Sequence, residues 1–362
     1  MPVPIPIEMP WRPGAATGVG SLPYDHPLEA TRVVLGELPD LPHLPELPGR
    51  GPGADMIGRT CALLVELGVD LQPAGWRLVA GEGLDQRRAR STLARDLDAL
   101  EELTQGYTGP LKVQFTGPIT LAAAVERPRG GRVVGDSGAR RDLAQSLAEG
   151  LTVHLRDLRR RVPGASLVVQ LDEPSMPAVL RGSVPTASGF SRYRPVEEYE
   201  VTDLLGGVIG SIVAADAVPV VHSCAAGTPF PLLVRAGARG LSFDLKKLGQ
   251  ADADPLSEAV EGGVALFAGA VPALRPERPA PSAPGAAPAA DGAVPRPTGP
   301  PGPTDVDVTR TVQAFWRRLG FAADEVARGV VVTPACGLAG ADPAWARTAM
   351  RLAREAAAHL AS

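Results

Sequence analysis

"VPVVHSCAAG", residues 218–227, is an apolar run that ends in chemistry. Val218 to Val221 offer no polar residue to a solvent face, so the run predicts a strand buried on both sides, as in a parallel sheet. It stops at His222, Ser223 and Cys224 and passes into small residues and Gly227. A chain with five His and three Cys has placed two of them together where a buried strand ends.

Runs of the same kind recur on either side. Strand candidates are "ATGVG" (within 15–20), "GVDLQPAG" (68–75), "LKVQFT" (111–116), "SLVVQLD" (166–172), "VPVVH" (218–222), "GLSFD" (240–244), "VALFAGA" (264–270) and "GVVVTP" (329–334). Helical patterns lie between them. Leu143, Leu147, Leu151, Val153, Leu155 and Leu158 suit one helical face, and Val308, Val312, Phe315 and Leu319 another. "DPAWARTAMRLAREAAAHLAS" closes the sequence as a strong helix former. Strands mostly followed by helices predict an α/β fold of the (β/α)8 TIM-barrel type, one domain over 1–362. A doubly wound open sheet is the alternative, but no G-x-G-x-x-G follows the first strand. The Pro/Ala-rich stretch 275–305 cannot bury enough apolar surface to offset its ordering entropy and is expected to be a disordered loop inserted in that domain.

Composition sets bounds. The chain has 362 residues, is 44% hydrophobic and carries a net charge of −4 without a basic run, which argues against nucleic acid or an anionic membrane surface as partner. No window approaches an uninterrupted apolar span of about 18 residues, and "MPVPIPIEMPWRPG" lacks the pattern of a signal peptide, so a cytoplasmic protein is expected. Only three of 36 basic residues are Lys, which reads as coding bias. Three dispersed cysteines suit metal binding or burial better than a disulfide framework.

A barrel puts its chemistry at the C-terminal ends of its strands, and the unusual residues fall there: "GSLP", "TGP", "DEP", "HSC", Asp244 and "ACG". His222 and Cys224, one residue apart, reach one point; Asp244 ends a strand and Cys336 lies two residues past the last one. Two thiolates, an imidazole and a carboxylate form a tetrahedral zinc set. Each alone has an ordinary explanation: a His-x-Cys pair that packs, a Cys that acts as a small hydrophobe, an Asp that caps a loop. Their coincidence at strand ends favours the metal. Asp172 and Glu173 are a possible proton-transfer pair, with Glu173 alternatively a brace. Ser21 has the plainer alternatives of ending a strand or capping a helix near Pro27, Trp76 suits the core or the pocket mouth, Cys61 suits the core, His26 and His43 suit solvated loops, and His154 and His359 lie in helices without metal partners at ligand spacing.

In order, "VGSLP", "VQFTGPIT", "VVQLDEP", "VVHSCAAG" and "VTPACGL" resemble the C-terminal catalytic barrel of cobalamin-independent methionine synthase, in its short single-barrel form. The resemblance implies zinc on His222, Cys224, Asp244 (where that family usually has Glu) and Cys336. It implies homocysteine held by Val19, Gly20 and Ser21, with Asp172 as the catalytic carboxylate that meets its ammonium; a second carboxylate, due near Gly58, is missing. On the donor side, Ala replaces the pterin-stacking Trp after "GPIT", Ala178 replaces an acid, and "LFAGAVPALRPERP" holds no His to protonate a departing folate. The expected function is zinc-dependent transfer of a methyl group to a thiol, most simply homocysteine giving methionine. Asp244 is the expected ligand to loosen when substrate sulfur arrives, and the donor-side losses favour a corrinoid, free or presented by a partner protein. The alternatives are a corrinoid methyltransferase for another thiol and a non-catalytic metal- or ligand-binding barrel.

Overall fold

The computed structural model describes residues 9–276 and 302–362. The low-complexity stretch therefore lies, apart from its ends, outside the described residues. Six strands form one parallel sheet in chain order: β3 (Gly109–Thr116), β4 (Ala165–Asp172), β5 (Val218–Ser223), β6 (Gly240–Asp244), β7 (Ala265–Val271) and β8 (Val330–Pro334). β1 (Gly68–Gln72) and β2 (Gly75–Val79) stand apart as an antiparallel hairpin.

Helices follow the sheet strands. They are α1 (Pro27–Glu37), α2 (Met56–Cys61), α3 (Leu84–Leu103), α4 (Pro118–Ala124), α5 (Ser137–Arg161), α6 (Met176–Leu180), α7 (Glu198–Ala214), α8 (Phe230–Arg235), α9 (Ala253–Glu261), α10 (Asp305–Arg318), α11 (Val326–Gly329) and α12 (Pro343–Ala361). Local chemistry starts the long ones. Asp136 accepts from Ala139 N–H at the head of α5, Asp342 accepts from Trp345 N–H ahead of α12, and Thr304 with Asp307 forms a capping box on α10. Among the described residues no helix is long and apolar enough to cross a membrane.

Because side chains alternate along a strand, each sheet strand serves two interiors. Leu167, Val169, Leu171, Val221, Leu241, Leu266 and Val332 belong to the shell between sheet and helices. Their neighbours Val168, Val220, Ala265, Phe267 and Val331 form a second apolar cluster with Trp11, Ala15 and Leu41, in which Trp11 meets Phe267 edge to face at 5.3 Å. Two residues further along, the same inward rows turn polar: Gln170 and then Asp172 on β4, His222 on β5, and Thr333 on β8. The curled sheet thus encloses an apolar floor beneath a polar layer.

The space between β8 and β3 is bridged by extended backbone. Thr17 N–H donates to Val332 O at 3.1 Å and Val332 N–H to Ala15 O at 3.2 Å. Glu46 N–H donates to Gly20 O at 3.1 Å and Leu22 N–H to Glu46 O at 2.9 Å. Leu44 N–H donates to Lys112 O and Lys112 N–H to Pro42 O, both at 2.9 Å. The pairing along these segments consists of isolated bridges, Ala16–Val332, Ser21–Glu46 and His43–Lys112.

The structure departs from the sequence pattern at three places. The stretch 68–75 does not enter the parallel sheet: Pro73 ends β1, Gly75 turns at φ 118°, and the chain doubles back as β2. The place beside β3 goes to residues 42–46, where Pro42 and Pro45 withhold two N–H donors and hide the extended run from a pattern search. His43 is accordingly not solvated but 1% exposed, pressed so closely under Gly18 that a Cβ there would lie 2.3 Å from its Cε1. Val153, expected on the apolar face of α5, is 48% exposed.

Candidate metal and substrate site

Parallel register carries one row of side chains across the C-terminal end of the sheet. Thr116 pairs with Asp172, Asp172 with His222, and His222 with Ser242. His222 is 3% exposed, and its Nδ1 lies 2.8 Å from Ser242 Oγ. With Nδ1–H donating to that hydroxyl, Nε2 keeps its lone pair, and Nε2 is buried with no hydrogen-bond partner. Ser242 is a site residue that the sequence reading missed. Its signal was present: in "GLSFD" it stands two residues before Asp244, on the same face.

Cys224 and Cys336 complete the group. Their Sγ atoms are 3.3 Å apart although 112 positions separate them, and ligand atoms of His222, Cys224 and Cys336 all lie within 4.8 Å of one another. The loop bearing Cys336 is tied down by Leu338 N–H donating to Ser21 O at 2.7 Å. Gly337 permits that approach, since a Cβ there would lie 2.1 Å from Ser21 Oγ. The hydrogen bond between the two sulfurs is the first cause that pushes Cys336 down, followed by the His222 ring and against burial, and it pushes Cys224 up correspondingly. The pairing sets the two thiols against each other, one favoured and one disfavoured as thiolate, and a cation between the sulfurs would displace the protons of both.

Asp244 is not brought into this group. Its Oδ1 accepts from Lys246 N–H at 2.9 Å, capping the turn after β6. The orphaned imidazole nitrogen and two adjacent sulfurs fit zinc as a three-ligand site with one position open, the form characteristic of catalytic zinc.

The other predicted residues lie close by. Asp172 is 7% exposed and takes a hydrogen bond from Gln170 Nε2 at 2.7 Å; burial raises it to about 7, opposed by His222 and Lys112. Val19 O accepts from Lys112 Nζ at 2.9 Å and from Gln170 Nε2 at 3.0 Å, so the 19–21 stretch is anchored to the polar layer. Glu173 is a brace: its carboxylate accepts from Ile119 N–H, Thr120 N–H and Thr120 Oγ1 at the head of α4. Near Gly58 no carboxylate takes the missing one's place on the same residue; Asp55 caps α2 through Gly58 N–H at 2.7 Å. Glu46, 4% exposed beside Ser21, was not singled out from sequence because it sits between the prolines of an unrecognised extended segment. Cys61 and Trp76 are core, as expected. A groove of about 860 Å³ between α3 and α5 includes none of the predicted site residues.

Neither a family model nor a curated protein matches the sequence. Among solved structures, the chain is similar to a B12-independent methionine synthase from Shewanella sp. W3-18-1 in complex with selenomethionine, at 13% identity and a TM-score of 0.59, covering 96% of this chain and 98% of that one. A second match, to the carboxyl transferase domain of Rhizobium etli pyruvate carboxylase, has a TM-score of 0.22 over 69% of this chain and 41% of that one, too slight for any inference. The likeness to the methionine synthase is one of fold.

Proposed function

We propose that this chain is a zinc-dependent methyltransferase whose acceptor is the thiol of homocysteine, built as one (β/α)8-type barrel domain in which residues 15–22 and 42–46 fill the two positions between β8 and β3. The observation that carries this reading is the buried, unpartnered Nε2 of His222 facing two cysteines at the C-terminal end of the sheet. It is supported by a fold shared along nearly the full length of a methionine synthase.

His222, Cys224 and Cys336 would hold the metal, and Ser242 would fix the imidazole. Zinc, when bound, would keep an incoming thiol deprotonated near neutral pH, where a free thiol is mostly protonated. The 19–21 stretch lies beside the Cys336 loop and would hold the amino acid, with Asp172 receiving its ammonium. The substrate sulfur then forms its bond to the methyl carbon as the donor–carbon bond breaks; the electron pair leaves with the donor and the thiol proton goes to solvent. Asp244 caps Lys246 N–H in this structure and would have to turn from it to occupy the open position and yield that place to a substrate sulfur.

No histidine follows β7 between Pro272 and Asp305, so no imidazole there can protonate a departing folate nitrogen. A reduced corrinoid leaves without that proton, and we propose it as donor. Methionine formation by the zinc-loaded protein, with methylcobalamin and methyl-folate tested separately, decides the matter. Turnover with methylcobalamin alone is expected; turnover with methyl-folate alone contradicts the donor, and no turnover with either, despite zinc and thiol binding, leaves a binding protein.

A further inference from the structure

The polar layer inside the sheet contains a cation that no carboxylate touches, although the Asp172 and Glu46 charges act on it from further off. Lys112 is 0% exposed and makes no ion pair among the described residues. Its three ammonium hydrogens are matched by three neutral acceptors: Val19 O at 2.9 Å, Gln170 Oε1 at 3.0 Å and Gln114 Oε1 at 3.1 Å.

This ammonium dictates how two buried amides face. An ammonium has no acceptor capacity, so both glutamines must turn their oxygens toward it and their NH2 groups away. Gln114 Nε2 then reaches Leu44 O at 2.7 Å. Gln170 Nε2 reaches Val19 O at 3.0 Å and Asp172 Oδ1 at 2.7 Å. One buried charge thereby fixes the distance between the 19–21 stretch and the Asp172 carboxylate. The layer beneath is apolar, so Lys112 stands where a hydrophobic side chain would be cheaper to bury.

We propose that Lys112 and Gln170 are positioning residues of the amino-acid subsite: Lys112 sets the direction of the Gln170 amide, and Gln170 locks Asp172 to the Val19 backbone so that the carboxylate is held ready for a substrate ammonium. The inference rests on the site taking an amino-acid thiol, as proposed above.

The test compares homocysteine with 4-mercaptobutyrate, the same thiol acid without the ammonium, by titration into the zinc-loaded full chain. Gln170→Met is expected to weaken homocysteine about tenfold, the loss of one charge-assisted hydrogen bond, while 4-mercaptobutyrate affinity and zinc stoichiometry hold. Circular dichroism and 4-mercaptobutyrate affinity of Gln170→Met guard against a folding defect, and Gln170→Leu is expected to show the same selectivity. A merely structural role would change both thiols alike. Equal loss for the two thiols, or no loss for either, with a wild-type protein that binds zinc and homocysteine, overturns this inference alone. A wild-type protein that binds neither overturns the functional reading and this one with it.

Discussion

The six sheet strands face two interiors of opposite character. Outward, Leu167, Val169, Leu171, Val221, Leu241 and Leu266 meet the helices in an apolar shell. Inward, the floor of Val168, Val220, Phe267 and Trp11 gives way within one alternation to Gln170, paired with Gln114, on β4 and to His222 on β5, and then to Asp172, while Lys112, in register with Val168, reaches up to both glutamines. The shell holds the molecule together, whereas the upper inward layer buries charge and amide at a cost in stability. Polar groups retained at that cost mark where the molecule acts.

Adjacent residues on β6 separate the two roles most sharply. Leu241→Ala, in the shell, is expected to cost about 2–5 kcal/mol of unfolding free energy, read by denaturant titration, and to leave metal affinity unchanged. Ser242→Ala, one residue on and facing in, is expected to weaken zinc binding about 10–100-fold, because the His222 ring loses its orienting partner, at a stability cost of only about 1–2 kcal/mol. If the two variants behave alike, the division between shell and site is wrong.

His154 is an exception within the shell. It is 6% exposed, packs edge to face on Phe115 at 5.0 Å, and is lowered from 6.5 to about 4, chiefly by burial and then by the Arg59 charge. Between those two pH values the unfolded chain binds a proton at this imidazole and the folded protein does not, so its contribution to stability is lost as pH falls below 6.5. His154→Gln is therefore expected to gain on the wild type by up to about 1.4 kcal/mol per pH unit through that window, and to stop gaining near pH 4. Parallel stability curves for the two proteins would show that the ring is protonated in the fold.

Legibility in the sequence followed the same division. Strands buried on both faces read as continuous apolar runs, and all six sheet strands were found within two residues of their observed ends. Helical periodicity located α5, α10 and α12, which cap with Asp or Thr. The first 80 residues were read less well, because prolines at 42 and 45 break the extended segment beside β3 and a hairpin at 68–79 offered a more strand-like pattern. At the site, His222, Cys224 and Cys336 were legible because thiols and imidazoles are rare in this chain and fell at strand ends. Asp244 was read from its place at a strand end, which fixes a residue's level but not its direction; its carboxylate turns to Lys246 N–H. Ser242, Lys112 and Gln170 were passed over because their roles arise from pairing across strands, which no single run of residues displays.

Everything proposed for this site depends on His222, Cys224 and Cys336 holding one zinc ion. The most direct test is metal analysis of the purified protein beside Cys336→Ser. A single tightly held zinc per chain is expected in the wild type and is expected to be lost in Cys336→Ser, with the fold retained by circular dichroism. Wild-type protein that takes up no zinc, or a Cys336→Ser protein that holds zinc undiminished, would contradict that assignment.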